Sequence, residues 1–598
     1  MSSIRVSWRP AWVRNGNHHA RDQAKPYQSP MPPRTAHVAT SSPSTLNEIT
    51  RHLCVGAYVD HDYCTNVLGN VYFDRSHRLT PSYSFDLPSV LIHARRRWLL
   101  DMGQHTVVSF FAVASLVIDP FSLATVATIF VSWYLLRRAS RLLANYCRFL
   151  LGRTHPEEPD RIQSQAMILG LGLACIWGTL FVIFFFTRGA ARLESVAALP
   201  LFERIATLIG LFAVTAILFT CCRQHMVSRL TSGAKAPEGH TKRLINISEE
   251  QGRPVTVYSE GRSQPFIGSG VGVVTWSFAQ RLFCRIDKEK ANGGRQEIEP
   301  PDDEVPFTTE EIVSYIKNRI ADLASDPNPE QQLPYLAVKD HIFVAGTHAR
   351  YVPKNPGHAD FVKVMSDTTR STRHYLACQV PSWDGEVVTT VYVHVSLQGR
   401  TLYLEFSTLF LPPSREEFHV VDRPGGTGIR AYCRSVMKTL WTLPETLVQW
   451  WFSLLTLGRY VGYLLLGRGW INRLERRGVD VGATLSVREL AAGLDSDRVV
   501  NFQAIDDMNY FQYRDVVKHA KVIERRLLAA VLDFLSGKGI DTEEYAQRAM
   551  TILNNGVLHM GEGANVVHMG EGNLTVGVIG KHGTSYSRQA AGGTNEAT

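Results

Sequence analysis

The stretch VVTTVYVHVSLQGRTLYLEFSTLF, residues 387–410, carries the clearest fold signal in this chain of 598 residues. Aliphatic residues alternate with other types up to Gln398-Gly399, and the alternation resumes at Leu402. A period of two predicts strands with one buried face, and the glycine-containing pair between them predicts a hairpin turn. We therefore predict a β-hairpin in which Val393 and Val395 face the core of a domain.

Residues on the N-terminal side extend this hairpin into an α+β domain over 244–430. Pro254–Ser259 and Phe266–Trp276 have the composition of strands, and Thr308 with Glu311 resembles a capping box that opens a helix. The apolar face of that helix recurs at helical spacing and consists of Ile312, Ile316, Ile320 and Leu323.

Three apolar regions predict a helical transmembrane anchor of about four spans. Residues 165–187 and 204–222 are each long enough to cross a hydrocarbon layer of ~30 Å as a helix. The first region, 102–136, is interrupted by Asp119-Pro120, which favours a hairpin of two spans over one continuous helix. The fold class predicted is therefore a membrane protein with a cytoplasmic α+β domain and a helical C-terminal region.

Arginines next to the apolar regions predict the topology of these spans. The positive-inside rule places both flanks of 102–136 in the cytoplasm, with both chain termini on that side. This interpretation prefers four spans to three, and a fifth span within 436–475 is a further alternative. The residues on which the topology rests are Arg95, Arg96, Arg97, Asp119, Pro120, Arg137, Arg138 and Arg223.

The remaining segments follow from composition, and the net charge of +8 is concentrated beside the apolar runs. Such placement is typical of topology and contact with anionic lipid, so no nucleic acid is expected as a partner. The nine cysteines are scattered, which predicts a reducing compartment for the polar parts, and no signal peptide is expected. The predicted segments are a disordered 1–45, a small helical cytoplasmic region 46–101, a basic loop 137–164, interfacial amphipathic helices 436–475, a helical region 485–553 and a disordered tail 584–598.

Several sequence patterns contain residue types that occur at chemical sites. RHLCVGAYVDHDYC, residues 51–64, brings together His52, Cys54, His61 and Cys64, whose side chains suit zinc, but the His-x-Cys spacing is not a usual chelate. We expect core and surface residues of a small helical domain here, and no metal or cofactor.

PFIGSGVGVV, residues 265–274, offers backbone N–H groups that would suit a phosphate, but it lacks a Walker lysine. A β-bulge or tight strand bend is the preferred interpretation. His374, His394 and Asp384 would form a site only through tertiary proximity. No catalytic residue is predicted, and the chain is not expected to be an enzyme.

The C-terminal segment 554–583 contains a nine-residue glycine-rich repeat. VLHMGEGAN (557–565) is followed by VVHMGEGNL (566–574) and by a looser third unit. Short repeats of this size cannot bury a core alone, but copies from several chains can stack through their apolar residues. The hypothesised assembly motif consists of Val557, Met560, Gly561, Gly563, Val566, Val567, Met569, Gly570, Gly572, Val576, Val578 and Ile579. A flexible tail with a local duplication is the alternative.

Two resemblances bear on function. The motifs PFIGSG, RHYLACQVPSWDGEVV and TLFLPPSREEF, with RHLC upstream, resemble an uncharacterised family of bacterial multi-pass membrane proteins. This resemblance implies architecture and a bacterial inner membrane, and it carries no catalytic residues. The tail is similar to bacterial amyloid-signalling motifs, which template matching motifs on partner proteins.

The function expected from these patterns is non-enzymatic. We expect a multi-pass inner-membrane signalling or effector component that assembles through its C-terminal repeat, with the lipid bilayer and a like repeat as partners. The alternative is a structural or assembly protein of the envelope, in which the cytoplasmic domain binds a ligand or a protein.

Overall fold

The computed structural model describes residues 45–150, 170, 177–178, 201–237, 241–262, 264–283, 305–367, 370–443, 470–494, 508–555, 565–570, 573–579 and 585–587. The predicted disordered ends 1–45 and 584–598, the predicted span 165–187 and much of 436–475 fall largely outside these residues.

Helices occupy both the N-terminal and the C-terminal parts of the described chain. In chain order they are α1 (Glu48–Val59), α2 (His61–Val67), α3 (Leu87–Ile118), α4 (Pro120–Leu150), α5 (Leu201–Ser228), α6 (Lys242–Gln251), α7 (Thr309–Ala321), α8 (His358–Ser366), α9 (429–443), α10 (Trp470–Arg476), α11 (Val487–Ala491), α12 (Tyr510–Gly537) and α13 (Glu543–Asn555).

Two sheets are formed by the described strands. The strands are β1 (Val255–Tyr258), β2 (Val271–Arg281), β3 (Ala337–Ala345), β4 (Arg373–Ser382), β5 (Val387–Gln398), β6 (Thr401–Leu411), β7 (Asn565–Gly570), β8 (Asn573–Ile579) and β9 (Ser585–Ser587). The larger sheet has the order β1-β3-β4-β5-β6-β2, and the smaller has the order β7-β8-β9. The larger sheet is mixed, because β1 runs parallel to β3 while its other pairs are antiparallel.

The predicted hairpin is confirmed, but the prediction of one buried face is wrong, because β5 is buried on both faces from Val387 to Ser396. β5 and β6 pair antiparallel with Gln398 opposite Thr401, so the chain turns where the glycine-containing pair was expected. Val393 is 0% exposed and Val395 is 2% exposed in the core between the sheet and helices α7, α12 and α13.

Helix α7 and strand β1 also follow the sequence, whereas the start of β2 does not. The side chain of Thr308 accepts the N–H of Glu311 at 3.3 Å, and the predicted apolar face is buried. Phe266–Trp276 was expected to be one strand, but β2 begins only at Val271. Gly268 and Gly270 have φ of +90° and +85°, a left-handed conformation that turns the chain before the strand begins.

A second core is built around the N-terminal helices. Ile49, Leu53 and Val90 from α1 and α3 pack with Phe418 from a distant segment. The C-terminal end of α5 joins the same core through Val227. Helices α3 and α5 therefore extend side by side from this second core. Helix α4 packs against them through Val126 and Phe130.

The predicted fold class with about four membrane spans is wrong. Among the described residues, two helices are long and apolar enough to cross a membrane, Leu87–Ile118 and Glu203–Ser228. The dominant element of the fold is the six-stranded mixed sheet of an α+β domain. α3 begins at Leu87 instead of at residue 102, and its N-terminal half packs in the helical core.

Candidate functional site

A partly buried cluster of charged side chains joins four segments that are far apart in sequence. We call it the ionic centre and define it as His52, Glu386, His419, Asp422 and Arg488. His52 lies on α1, Glu386 directly precedes β5, His419 and Asp422 belong to the 3-10 segment Glu416–Asp422, and Arg488 lies on α11.

Local structure positions each of these groups. Helix α1 begins at Asn47, whose side chain accepts the N–H of Thr50, and both faces of the helix are buried. The turn before β5 contains Gly385 with φ of +89°, which glycine adopts without strain. This turn points Glu386 toward α1 and the segment that carries His419.

His52 lies between two carboxylates. Its Nδ1 contacts Glu386 Oε1 in a short hydrogen bond, and its Nε2 lies 2.6 Å from Asp422 Oδ2. Arg51 holds Asp422 in turn through two hydrogen bonds of 2.7 and 2.9 Å. The carboxylate of Glu386 also accepts the backbone N–H of Ser414 at 2.9 Å.

The two histidines of the centre differ in protonation. Burial disfavours the charged form of His52, but the hydrogen bond and charge of Glu386, together with the hydrogen bond of Asp422, outweigh burial and raise the pKa of the imidazole. Burial and the neighbouring His52 lower the pKa of His419. Burial pushes the pKa of Glu386 upward, yet the bond from His52 and the charge of Arg488 lower it to about 2. The centre therefore favours an imidazolium at His52, a neutral ring at His419 and an ionised Glu386.

Like Asp422, whose side chain is 42% exposed, His419 reaches solvent. Its side chain is 30% exposed, and its ring stacks on that of His52 with centroids 4.0 Å apart. The hydroxyl of Ser414 lies 2.9 Å from His419 Nε2 and also contacts the carboxylate of Glu386. The serine hydroxyl thus connects the exposed histidine to the buried carboxylate.

Arg488 lies at the bottom of the centre. It is 1% exposed, and its Nη2 donates to the carbonyl oxygen of Glu386. Its Nε and Nη1 find no hydrogen-bond partner among the described residues. Burial lowers the pKa of Arg488, and the charge of Glu386 opposes this effect.

The centre contains groups that suit a metal ion. Ligand atoms of His52, Glu386 and His419 all lie within 4.8 Å of one another, and a second set is Glu48, His52 and Asp422. The sequence pattern His52, Cys54, His61 and Cys64 does not converge, since Cys64 donates to the carbonyl of Ala94 and His61 approaches Asp101.

The glycine-rich loop before β2 binds an internal carboxylate. The backbone N–H groups of Gly268 and Gly270 donate to Glu489 Oε1 at 2.7 and 3.0 Å. Glu489 is buried on α11, so it lies where a phosphate would lie in a phosphate-binding loop. The expected β-bulge is confirmed between Gly272 and Val274.

Two of the three residues His374, His394 and Asp384 lie together on the large sheet. His394 Nδ1 donates to the carbonyl oxygen of His374 at 2.7 Å, and His374 Nε2 pairs with Asp340 at 3.0 Å. Asp384 lies instead in the exposed turn before β5. The carboxylate partner of His374 comes from β3, which the sequence did not indicate.

The arginines on which the predicted membrane topology rests lie in different environments. Arg95 and Arg96 are exposed, whereas Arg97 and Arg223 both pair with buried Asp101 at 2.8 and 3.0 Å. Asp119 follows α3 and accepts Arg204 at 2.9 Å, and Pro120 begins α4. Arg137 donates to the carbonyl of Trp441 and lies over its ring, while Arg138 donates to Tyr134.

The assembly motif lies partly within the described residues. β7 and β8 pair antiparallel, with Val566 opposite Gly577, Val567 opposite Val576, Met569 opposite Leu574 and Gly570 opposite Asn573. Val578 and Ile579 of β8 pair with β9. Val557, Met560, Gly561, Gly563 and Gly572 lie outside the described residues.

Sequence comparison finds a match over part of the chain. No curated protein and no solved structure matches the chain. Residues 275–568 match the family model of the AbeC-like domain. The matched segment begins in β2 and ends in β7, so it contains Glu386, His419 and Arg488 but not His52. The chain therefore carries, over these residues, a region similar to an AbeC-like domain.

Proposed function

We propose that this protein is a membrane-anchored, non-catalytic assembly component whose C-terminal repeat pairs with matching strands of other chains. The observation that carries the proposal is the register of the small sheet, in which Val567 of one repeat unit lies opposite Val576 of the next. The repeat thus supplies its own complementary strand.

The edges of the small sheet support pairing between chains. β7 and β9 are its outer strands, so each has one edge with no strand partner among the described residues. An exposed strand edge presents unpaired N–H and C=O groups that template another strand. A second copy of the repeat is the occupant that such an edge fits best.

The apolar helices support a membrane anchor. Only 17% of the most apolar window of α3 and 28% of that of α5 is buried, whereas a core helix of a globular domain is mostly covered. Phe110, Val113 and Ile118 on α3 and Val214 and Leu218 on α5 are exposed. Because both helices leave the helical core together, the polar parts before and after them lie on the same side.

The test uses the full-length protein in liposomes and a labelled peptide of residues 554–583. We expect the liposomes to capture the peptide and the peptide to form β-rich assemblies. Val567→Lys with Val576→Lys should abolish capture, because the lysines place unpaired charge in the strand interface. The matched control, Val567→Thr with Val576→Thr, keeps β-branched residues and should retain most of the peptide capture. Capture that is equal for the lysine and threonine variants would refute strand pairing.

A further inference from the structure

We propose that His52, Glu386 and His419 form a binding site for a divalent transition-metal ion with the ligand preference of zinc. Two imidazoles and one carboxylate are a ligand set that zinc accepts, with a fourth position left for water or another ligand. The three groups come from separate segments and converge within 4.8 Å. This site does not depend on the strand pairing proposed for the tail.

An ion in this site requires the stacked imidazole rings of His52 and His419, whose centroids lie 4.0 Å apart, to turn so that both ring planes contain it. His419 Nε2 lies 3.7 Å from Glu386 Oε1, while His52 Nδ1 is in direct hydrogen-bond contact with the same oxygen. Metal–ligand bonds of about 2 Å in a tetrahedral site separate the ligand atoms by roughly 3.3 Å. The ion would therefore replace the proton between His52 and Glu386 and move these two groups apart by about the width of one contact.

Groups around the site already orient its first histidine. His52 Nε2 lies 2.6 Å from Asp422 Oδ2, and Arg51 fixes that carboxylate with two hydrogen bonds. A carboxylate on the second ring nitrogen is the usual partner of a metal-bound histidine, since it fixes the tautomer and strengthens the donor nitrogen. Asp422 therefore supports coordination through Nδ1 of His52.

The open side of the site lies at His419. The side chain of His419 is 30% exposed, so an ion reaches the cluster without unfolding of the core. Ser414 Oγ lies 2.9 Å from His419 Nε2 and provides a hydrogen-bond partner for a metal-bound water. Once the ion replaces the proton of His52, the carboxylates of Glu48, Glu386 and Asp422 outnumber Arg51 and Arg488 by one, which leaves one negative charge for the cation to neutralise.

Cobalt binding tests the proposal directly. The probe is Co²⁺ alone, titrated into the full-length, tag-free protein in detergent, because a protein-bound cobalt ion of low coordination number absorbs visibly. We expect a visible absorption band that saturates at one equivalent of Co²⁺ and that disappears when Zn²⁺ displaces the cobalt. His419→Ala should abolish the band, and Asp422→Asn should lower the affinity about 10- to 100-fold. His348→Ala is the matched control, since His348 lies 3.7 Å from Glu260 in an exposed pair, and it should change nothing.

The outcomes separate the site from incidental binding. Thermal unfolding without metal shows whether each variant folds, and Glu386→Gln replaces His419→Ala if the latter does not. A visible band that persists in both variants, or thiolate charge-transfer bands from the cysteines, would overturn the assignment. Saturation without any visible band would overturn it as well.

Discussion

The side-chain carboxylate of Glu489 accepts the backbone N–H of Gly268 at 2.7 Å. A second bond from Gly270 completes the pair, and a Cβ at Gly270 would collide with the carbonyl oxygen of Phe410. The loop therefore requires glycine for close packing as well as for its left-handed conformation. α11 and the start of β2 are joined by this contact.

Removing the Glu489 carboxylate should destabilise the fold. In Glu489→Ala the N–H groups of buried Gly268 and half-buried Gly270 lose their acceptor, and each unsatisfied buried group costs about 1–3 kcal/mol. Glu489→Gln keeps one acceptor oxygen and should lose less. Urea unfolding measures the difference, with Glu416→Ala as the control because the side chain of Glu416 is 91% exposed. Equal stability of the alanine variants would contradict the role of this bond.

Val393→Asp should place an unpaired charge in the main core. Val393 is 0% exposed on a central strand, and burial of an unpaired charge typically costs several kcal/mol, enough to unfold a marginal domain. Thr275→Asp adds the same side chain at an exposed position of β2 and should cost roughly 1 kcal/mol or less. Circular dichroism during urea unfolding distinguishes the two variants, and similar midpoints would show that the buried face is misassigned.

The ion pairs of Asp340 should make the free energy of unfolding depend on pH in the acid range. Burial pushes the pKa of Asp340 upward, but the bonds from His374 and Lys317 outweigh it and lower the pKa to about 2. A lowered carboxyl pKa contributes stability that is fully present above the unfolded value of ~4 and is lost as pH falls toward 2. The contribution is on the order of 2 kcal/mol.

Substitution of Asp340 tests whether this residue causes the loss of stability at low pH. Asp340→Asn should flatten the decline in stability between pH 4 and 2 that urea unfolding records in the parent protein. Asp384→Asn serves as the control, because Asp384 is exposed and asparagine tolerates its positive φ of 54°. A decline that is identical in parent and Asp340→Asn would exclude Asp340 as its source.

Charges on the exposed apolar helices should weaken membrane association. Val113 is 60% exposed on α3 and Val214 is 54% exposed on α5, so lysine at both positions leaves the packed core unchanged. A lysine near the bilayer centre costs roughly 3 kcal/mol on insertion scales. Alkaline extraction should release the double variant but not the Met550→Lys control, whose residue is 64% exposed on α13. Release of the parent protein under the same conditions would argue against a membrane anchor.

The sequence predicts elements whose signals are local. The period-two hairpin around Gln398-Gly399 and the helix capped by Thr308 are both encoded within a few residues, and both are present. The pairing of β1 with β3 could not be predicted, because the paired residues lie 87 positions apart in the sequence.

The ionic centre escaped prediction for the same reason. His52 and Glu386 are 334 positions apart, so no spacing rule relates them. The only local signal was the presence of His52 in RHLC, which spacing associated with Cys54. Arg97 and Arg223, on which the predicted topology rests, both pair with Asp101, a partner that charge placement in the sequence does not indicate.

The packing of Phe418 against the N-terminal helices has a consequence for synthesis. A Cβ at Gly56 would collide with the ring of Phe418, and Tyr63 packs against the same ring at 5.1 Å. Arg415, beside Phe418, pairs with Asp60 across 355 positions of chain. At about 5–20 residues per second, a ribosome needs roughly 20–70 s to add that length. Phe418 follows the last strand of the large sheet, so α1 and α2 lack this contact until all six strands have been synthesised, and the nascent chain exposes their apolar face throughout that interval.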